Sequence, residues 1–296
     1  MSNKVLVVYN TCGLSGKENV GWYINCLRSI LDQDFDDFAV VVSSCTNSSK
    51  ARSAIQKEFG EKVHINCVDL NLPVNITFNT TVRNTVSRFG AFDYYVYVDS
   101  GIHFGYDRKT LSDIWLRAST NKYGLISIQA SNDNGFNEWF GKEFPIVEED
   151  YVVPIGKAFN AHTIAYSHDV YEAFGGRLVP DIFAAYCTES VFSYLAAAVG
   201  KEWIIVCDRI HYHMKGSMGA DGASVGSDKI GKYGEPWNNL VTGQDIRKIL
   251  NDPEAWNCGF GYEECNSVFL HNSSVYDKNH CLDPERLRAF MNANMF

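Results

Sequence analysis

Short apolar runs and stretches of helical periodicity alternate through the first hundred residues. The apolar runs, rich in the β-branched and aromatic residues that favour strands, lie at 5–9, 38–42, 63–68 and 92–104. Between them, apolar residues recur every three to four positions, which predicts amphipathic helices at 20–31, 51–59 and 77–89. This β-α-β-α-β-α-β order predicts a parallel sheet with right-handed crossovers, and therefore an α/β fold.

The fourth apolar run, Phe92–Phe104, carries a carboxylate, Asp99, followed by two small residues. A continuous apolar run favours an interior parallel strand over a half-exposed one. Such a strand would bring Asp99 to the carboxyl edge of the sheet, where open α/β proteins bind their ligands. Alternatively, Asp99 only begins a turn with Ser100 and Gly101, because Asp and Gly are common turn residues.

The remaining two-thirds of the chain continues the alternation less regularly. Further strands are predicted at 124–130, 151–154, 162–166 and 203–207, and further helices at 108–118, from 167, at 188–199, at 245–250 and at 284–291. The segment 219–243 is rich in Gly, Ser and Asp without periodicity, which predicts a loop suited to a lid. Without an internal repeat or a clear linker, the sequence favours one compact domain with a C-terminal extension.

Composition narrows the class of protein. The chain has 296 residues, of which 46% are hydrophobic and 21% charged, as expected for a globular protein with a large core. Its formal net charge of −9 argues against a general nucleic-acid or anionic-membrane surface. We see no leader pattern and no membrane span, and the nine cysteines are odd in number and lie mostly in apolar runs. We therefore expect a cytoplasmic protein with reduced thiols.

Common nucleotide and metal signatures do not fit. The loop 13–17 has two residues between its glycines, where a P-loop has four, and Glu18 follows Lys17 where a P-loop has a hydroxyl. Nor does it have the glycine spacing of a dinucleotide site. The Cys and His residues of the tail lack the close pairs of a structural zinc site.

Two passages in the first hundred residues resemble segments of family-2-type glycosyltransferases. The segment 27–42, Leu-Arg-Ser-Ile-Leu-Asp-Gln followed by an apolar run, is similar to the family's opening helix and second strand. The segment 79–84, Asn-Thr-Thr-Val-Arg-Asn, resembles an Ala-Arg-Asn segment near the family's donor.

Two more passages carry the acids and histidines of the same resemblance. Asp99-Ser100-Gly101 stands at the place of the family's metal-binding Asp-x-Asp, with Gly101 replacing the second acid. In the block 180–218, Thr188-Glu189 lies where the family keeps an acidic pair before a helix, and the segment from His213 to Ser217 resembles its closing His-x-x-Gly-Ser. The order and spacing of the four passages, rather than any one of them, carry the resemblance.

The resemblance implies a GT-A (Rossmann-like) fold, a central, mostly parallel sheet flanked by helices with a C-terminal helical extension. It places a glycosyltransferase domain at 1–218, with a nucleotide-binding half at about 1–104 and an acceptor-binding half at about 105–218. The loop and extension, 219–296, would pack on the same domain.

The resemblance also implies a reaction, an inverting transfer of a sugar from a nucleoside-diphosphate sugar, expected to be UDP-linked, to a hydroxyl of a carbohydrate or other acceptor. Glu189 would be the general base and Asp181 would orient the acceptor. Alternatively, Glu189 only caps the helix that follows it.

The donor nucleotide would be held by residues at strand ends and in the four passages, namely Tyr9, Asn10, Thr11, Ser43, Ser44, Arg83, Asn84, Asp99, Ser100, Gly101, Lys215 and Ser217. The alternatives are ordinary loop polarity for the strand-end residues and a solvated helix face for Arg83 and Asn84.

A divalent cation, Mn²⁺ or Mg²⁺, would bind Asp99 and His213, with His103 as a further candidate if its strand continues past Asp99. Gly101 leaves the need for metal open. Strand alternation puts His211 on the same face as His213, so one of them could be packed and the other functional.

Trp139 and Trp237 could stack on a sugar ring, although aromatic residues also pack under loops. Two other classes of function stay open at this point. One is a nucleotidyltransferase that makes a sugar nucleotide, and the other is a non-catalytic member of the fold that binds a carbohydrate or nucleotide sugar.

Overall fold

The computed structural model describes residues 4–11, 20–45, 49–68, 74–130, 144–147, 150–157, 159, 161–180, 191–213 and 269–296. Within them, ten strands form one mixed sheet in the order β3-β2-β1-β4-β9-β6-β10-β8-β7, and β5 pairs with β10 beside this path. The strands are β1 (Val5–Thr11), β2 (Phe38–Cys45), β3 (His64–Val68), β4 (Tyr94–Val98), β5 (Ile102–His103), β6 (Tyr123–Ala130), β7 (Ile146–Val147), β8 (Asp150–Val152), β9 (Thr163–Ser167) and β10 (Glu202–His213).

The predicted parallel sheet is present at one end of this order. Strands β3, β2, β1 and β4 are all parallel, and β6 and β10 are parallel to each other. Strand β9 is antiparallel to both of its neighbours, β4 and β6. The sheet is therefore mixed and mostly parallel, as an α/β fold requires, and the predicted fold class is confirmed.

Helices cover both faces of the sheet. They are α1 (Val20–Leu31), α2 (Ser49–Phe59), α3 (Val74–Phe89), α4 (Thr110–Ala118), α5 (His168–Ala173), α6 (Phe192–Ala198) and α7 (Pro284–Asn294). The bounds of α1 are those that its apolar periodicity predicts, and α3 begins three residues earlier than predicted.

Strand alternation divides the core into two layers. In β1, Val5 and Val7 pack in the layer that contains apolar residues of α1, α2 and α4. The alternate residues Leu6 and Val8 pack in the layer that contains residues of α3, α5, α6 and α7. Because both of its faces are covered, β1 is buried along its whole length, which explains its continuous apolar run.

The C-terminal extension packs on the second of these faces. The ring of Phe269 stacks on Tyr194 of α6 with centroids 3.8 Å apart, and Phe296 stacks on Phe174 at 4.3 Å. Leu287 and Met291 of α7 are fully buried in the same layer. The helical extension is thus part of one core, while the proposed boundary at 218 lies outside the described residues.

The largest differences from the predicted strand bounds are in β4 and β10. Strand β4 ends at Val98 instead of continuing to Phe104, because a turn at 99–101 intervenes. Strand β10 runs to His213 instead of stopping at Cys207, since its pairing with β6 resumes at Ile210 after a register shift. The polar pair Asp208-Arg209 interrupts the apolar run at that irregularity. Because of this interruption, the apolar pattern did not predict that the strand continues.

Other expectations lie partly outside the described residues. Helix α6 is described from Phe192, four residues after its predicted start, and the predicted helix at 245–250 and loop at 219–243 are not described. No helix in the described parts of the chain combines the length and apolar character needed to cross a membrane.

Candidate functional site

The carboxyl ends of β1, β2 and β4 meet at one edge of the sheet. In the register of β1 and β2, Asn10 lies beside Ser43 and Thr11 beside Ser44. On the other side of β1, Tyr9 pairs with Val98 of β4, the residue before Asp99. The topology therefore brings the predicted strand-end residues together, as parallel strands require.

Hydrogen bonds from helix α3 reach these strand ends. Thr81 donates from its hydroxyl to the Ser43 hydroxyl at 2.9 Å, and Thr11 donates to the Ser43 carbonyl at 3.2 Å. Asn66 donates its amide to Thr81 at 2.8 Å and accepts from Asn84 at 3.2 Å. Asn84, predicted to lie near the donor, is thus linked to Ser43 through a chain of hydrogen bonds, while contact of either with a nucleoside stays a prediction.

Tyr9 is buried beneath the turn that follows β4 and is hydrogen-bonded to it. Its side chain is fully buried, edge-on to Tyr23 of α1, and its hydroxyl accepts a hydrogen bond from the N–H of Gly101 at 3.4 Å. Burial raises the pKa of this hydroxyl well above its ordinary value. Tyr9 therefore holds the turn after β4, and a direct contact with a donor would require its side chain to leave the core.

Asp99 lies at the centre of this edge, and two donors among the described residues hold its carboxylate. The hydroxyl of Tyr97 donates to Oδ1 at 2.7 Å, and Nδ1 of His162 lies 3.0 Å from Oδ2. The N–H of Asp99 also donates to the carbonyl of His162 at 2.9 Å. The Asp99 side chain is 33% exposed, so this fixed carboxylate still faces solvent at the carboxyl edge.

Sequence reasoning did not single out His162. It lies one residue before β9, and the pairing of Val98 with Thr163 places it opposite Asp99. The only available signal was the predicted strand at 162–166, because its antiparallel pairing with β4 is decided by the sheet topology.

A turn separates Asp99 from His103. The N–H of Ile102 donates to the carbonyl of Asp99 at 3.3 Å, and Gly101 has a φ of +84°. His103 then pairs in β5 with Tyr212 of β10, is partly buried, and accepts at Nδ1 from the N–H of Gly105 at 3.0 Å. The strand alternation that would place His103 on the face of Asp99 therefore does not hold, because the backbone reverses at the turn.

Of the two histidines near the end of β10, His211 is the packed one. It is 1% exposed, its ring stacks on Phe104, and its two nitrogens lie 3.2 Å and 2.9 Å from the hydroxyls of Thr110 and Thr163. Burial, together with the nearby charge of His103, lowers its pKa to about 3. His211 is therefore neutral and structural at physiological pH.

His213 is described only by its backbone. It pairs with Ile102 of β5, three residues after Asp99, so the end of β10 reaches the same edge of the sheet. The structure thus brings His213 into the neighbourhood that the resemblance implies, and its role toward a metal or diphosphate stays a prediction.

Arg83 lies on α3 away from this edge. It is exposed and lies beside Gly176 and Tyr171, whose ring stacks on Tyr95 at 4.9 Å. Tyr95 is the second residue of β4, whereas Asp99 follows the last, about 13 Å further along at ~3.3 Å per residue. Arg can pair with a carboxylate as well as with a phosphate, and this placement does not favour a pair between Arg83 and Asp99. Binding of a phosphate by Arg83 stays a prediction.

Several predicted site residues lie outside the described residues: Asp181, Glu189, Lys215, Ser217, Trp139 and Trp237. In the described part of the chain, no three His, Cys, Asp or Glu side chains form a group that could hold a metal ion. A cation at Asp99 would therefore need further oxygens, as Mg²⁺ sites in nucleotide enzymes take from substrate phosphates and water. The partly exposed, oriented carboxylate of Asp99 fits such a site.

Comparison with known proteins gives matches at the level of structure only. No protein-family model and no curated sequence matches the chain. Among solved structures, the mannosyltransferase PcManGT from Pyrobaculum calidifontis, in complex with GDP-Man and Mn²⁺, superposes with a TM-score of 0.55 at 14% identity, covering 98% of this chain and 87% of that one.

The other similar structures are of S. aureus TarS. Its residues 1–349 superpose with a TM-score of 0.52 at 13% identity, covering 93% of this chain and 94% of that one. A longer TarS structure superposes with a TM-score of 0.52 at 15% identity. The match covers 72% of this chain and 37% of the TarS chain. At these identities the likeness is one of fold, and the chain has an α/β fold of the kind that these glycosyltransferases share.

Proposed function

We propose that this protein is an inverting glycosyltransferase that transfers a sugar from a nucleoside-diphosphate sugar, UDP-linked, to a hydroxyl acceptor. The observation that carries the proposal is the convergence at one sheet edge of the paired β1 and β2 ends, the partly exposed and oriented Asp99, and the end of β10 at His213. The fold likeness to two glycosyltransferases supports it.

In this proposal the carboxyl edge binds the donor. Asn10, Thr11, Ser43 and Ser44 would surround the nucleoside, and Asp99 would lie beneath the diphosphate. Asp99, with His213, would hold a divalent cation, which when bound neutralises charge on the departing diphosphate.

The chemical step would be a single displacement. Glu189 takes the proton from the acceptor hydroxyl as its oxygen forms a bond to the anomeric carbon. The bond from that carbon to the diphosphate oxygen breaks, and its electron pair leaves with the nucleoside diphosphate. Attack on the face opposite the leaving group inverts the anomeric centre.

The donor is tested by incubating the protein with UDP- and GDP-sugars and Mn²⁺ and measuring the release of free nucleotide. Release from one donor would support the transferase, and pyrophosphate exchange would indicate a nucleotidyltransferase instead. Tight binding without turnover would indicate the non-catalytic alternative, which Gly101 favours because it removes the second acid from the turn.

The base is tested with Glu189→Gln. A general base contributes about 100- to 10,000-fold to the rate, so we expect turnover to fall by at least about 100-fold while donor binding persists. Glu202→Gln, at the exposed start of β10, is the matched control and should be as active as the wild type. Full turnover of Glu189→Gln would remove Glu189 from this role.

A further inference from the structure

Asp99 and His162 oppose each other where β4 and β9 end their pairing. The backbone N–H of Asp99 donates to the carbonyl of His162 at 2.9 Å, and the side chains meet at 3.0 Å between Oδ2 and Nδ1. The other carboxylate oxygen receives the hydroxyl of Tyr97 at 2.7 Å. Each oxygen of Asp99 thus lies within hydrogen-bonding distance of a donor, one from β4 and one from the segment before β9.

The chemistry of the pair decides which nitrogen of the imidazole donates to Asp99. A carboxylate can only accept hydrogen bonds, so Nδ1 of His162 carries the proton that it shares with Asp99. The His162 and Asp99 side chains are 17% and 33% exposed, so the contact is partly shielded from water and is stronger than a surface pair.

Tyr97 is itself held in place. Its ring lies edge-on to the buried Phe78 of α3, with centroids 5.1 Å apart, and its backbone pairs with Ile164 of β9. Both donors to Asp99 therefore rest on packed elements, which restricts the rotation of the carboxylate between them.

This restraint matters because Gly101 supplies no second acid. With one carboxylate in the turn, binding of a diphosphate and its cation depends more strongly on the orientation of Asp99. We propose that His162 is a positioning residue which, with Tyr97, holds the Asp99 carboxylate in the orientation that binds a nucleoside diphosphate. The inference rests on the proposed function, because it assumes that Asp99 faces the donor.

The test compares two polar replacements of His162 that differ in where they place a donor. The amide nitrogen of an Asn side chain falls near the position of Nδ1, whereas that of Gln falls near Nε2. Affinity for UDP and for GDP is measured by calorimetric titration in the presence of Mn²⁺. We expect His162→Gln to weaken binding by about 10- to 100-fold, the usual effect of losing a group that orients a metal ligand, and His162→Asn to stay within about threefold of the wild type.

Two further variants test the second donor to Asp99 and provide a control. Tyr97→Phe retains the ring and removes only the hydroxyl, so it should also weaken binding without unfolding the protein. His64→Ala, at the amino end of β3, is the distant control and should bind as the wild type does. Urea unfolding of each variant separates a loss of binding from a loss of stability.

Each outcome bears on the inference. Equal binding by His162→Asn and His162→Gln, whether both are strong or both weak, would overturn it, because the placement of the donor would then not matter. A wild-type protein that binds neither UDP nor GDP would overturn the proposed function, and this inference with it. Binding by the wild type and by His162→Asn, with loss in His162→Gln and Tyr97→Phe, is the expected result.

Discussion

At the scale of single residues, the turn after β4 shows why a glycine stands where the resemblance expects an acid. Gly101 is buried with a φ of +84°, a left-handed conformation that residues with a Cβ adopt at a cost. Its N–H is held by the buried hydroxyl of Tyr9. The turn that reverses the chain toward β5 and the second acid of an Asp-x-Asp are therefore in conflict at this position.

The first prediction compares two glycines of similar backbone conformation. Gly101→Ala and Gly90→Ala, with φ values of +84° and +89°, should each lower the free energy of unfolding by about 1–2 kcal/mol. Only Gly101→Ala should also weaken UDP or GDP binding, because only that turn carries Asp99. Urea unfolding and calorimetric titration measure the two effects, and equal binding by the two variants would separate the turn from the site.

The second prediction concerns pH and His211. The pKa of this group falls from its ordinary 6.5 to about 3 on folding. Between these values the unfolded chain binds a proton that the folded chain does not, so the free energy of unfolding decreases as the pH falls, by about 1.4 kcal/mol per pH unit.

His211→Gln isolates this effect, since glutamine can bond to the two threonine hydroxyls without titrating. Between about pH 6 and about pH 4.5, the wild type should lose about 2 kcal/mol more stability than the variant. Urea unfolding across this range measures the difference. Parallel pH profiles would mean that His211 is not held neutral in the fold.

At the scale of elements, ion pairs connect the irregular part of β10 to its neighbours. Arg117 of α4 binds Asp150 of β8, whose side chain is 4% exposed, and the N–H of Cys207 also donates to Asp150 at 3.4 Å. Arg209, just after the register shift, pairs with Asp113 of α4 and with Asp107. These contacts hold α4 and β8 against the strand that carries His211 and His213.

The third prediction is that Arg117→Met destabilises the protein by about 3–5 kcal/mol, because it leaves the buried Asp150 carboxylate without its main cationic partner. Arg28→Met, which breaks the exposed pair between Arg28 and Glu58, is the control and should cost less than about 1 kcal/mol. Denaturant unfolding of both variants gives the comparison, and equal losses would show that burial of the pair has no effect.

At the scale of the whole molecule, the two layers of core are joined by one sheet, and the C-terminal extension belongs to the layer of α3, α5 and α6. The stacked rings of Phe269 and Tyr194 are the tightest described contact between the extension and α6. We therefore expect the extension and the sheet to unfold together rather than as separate units.

The fourth prediction follows from this shared core. Phe269→Ala, at a fully buried side chain, should lower the free energy of unfolding by about 3–5 kcal/mol. Its neighbour Leu270 is 57% exposed, so Leu270→Ala should change the free energy of unfolding by less than about 0.5 kcal/mol. Far-UV circular dichroism and tryptophan fluorescence should report one transition for each, and separate transitions would show an independent extension.

The sequence by itself determined most of the elements and the parallel arrangement of the first four strands. Apolar period and length predicted α1 and the alternation of strands and helices in the first hundred residues. A strand buried on both faces is apolar along its length, whereas a helix buried on one face has apolar residues every three to four positions. The same pattern predicted that Asn10, Thr11, Ser43, Ser44 and Asp99 gather at one edge, since parallel strands end together.

The tertiary structure decided what depends on pairings between distant segments. The antiparallel insertion of β9 between β4 and β6 places His162 on Asp99, and no local pattern around residue 162 encodes its partner. The turn at 99–101 reverses the chain, so His103 does not follow Asp99 along one strand. The continuation of β10 past its register shift buries His211 between Thr110 and Thr163. Local periodicity reports which face of an element is buried, but only the assembled sheet decides which polar groups meet.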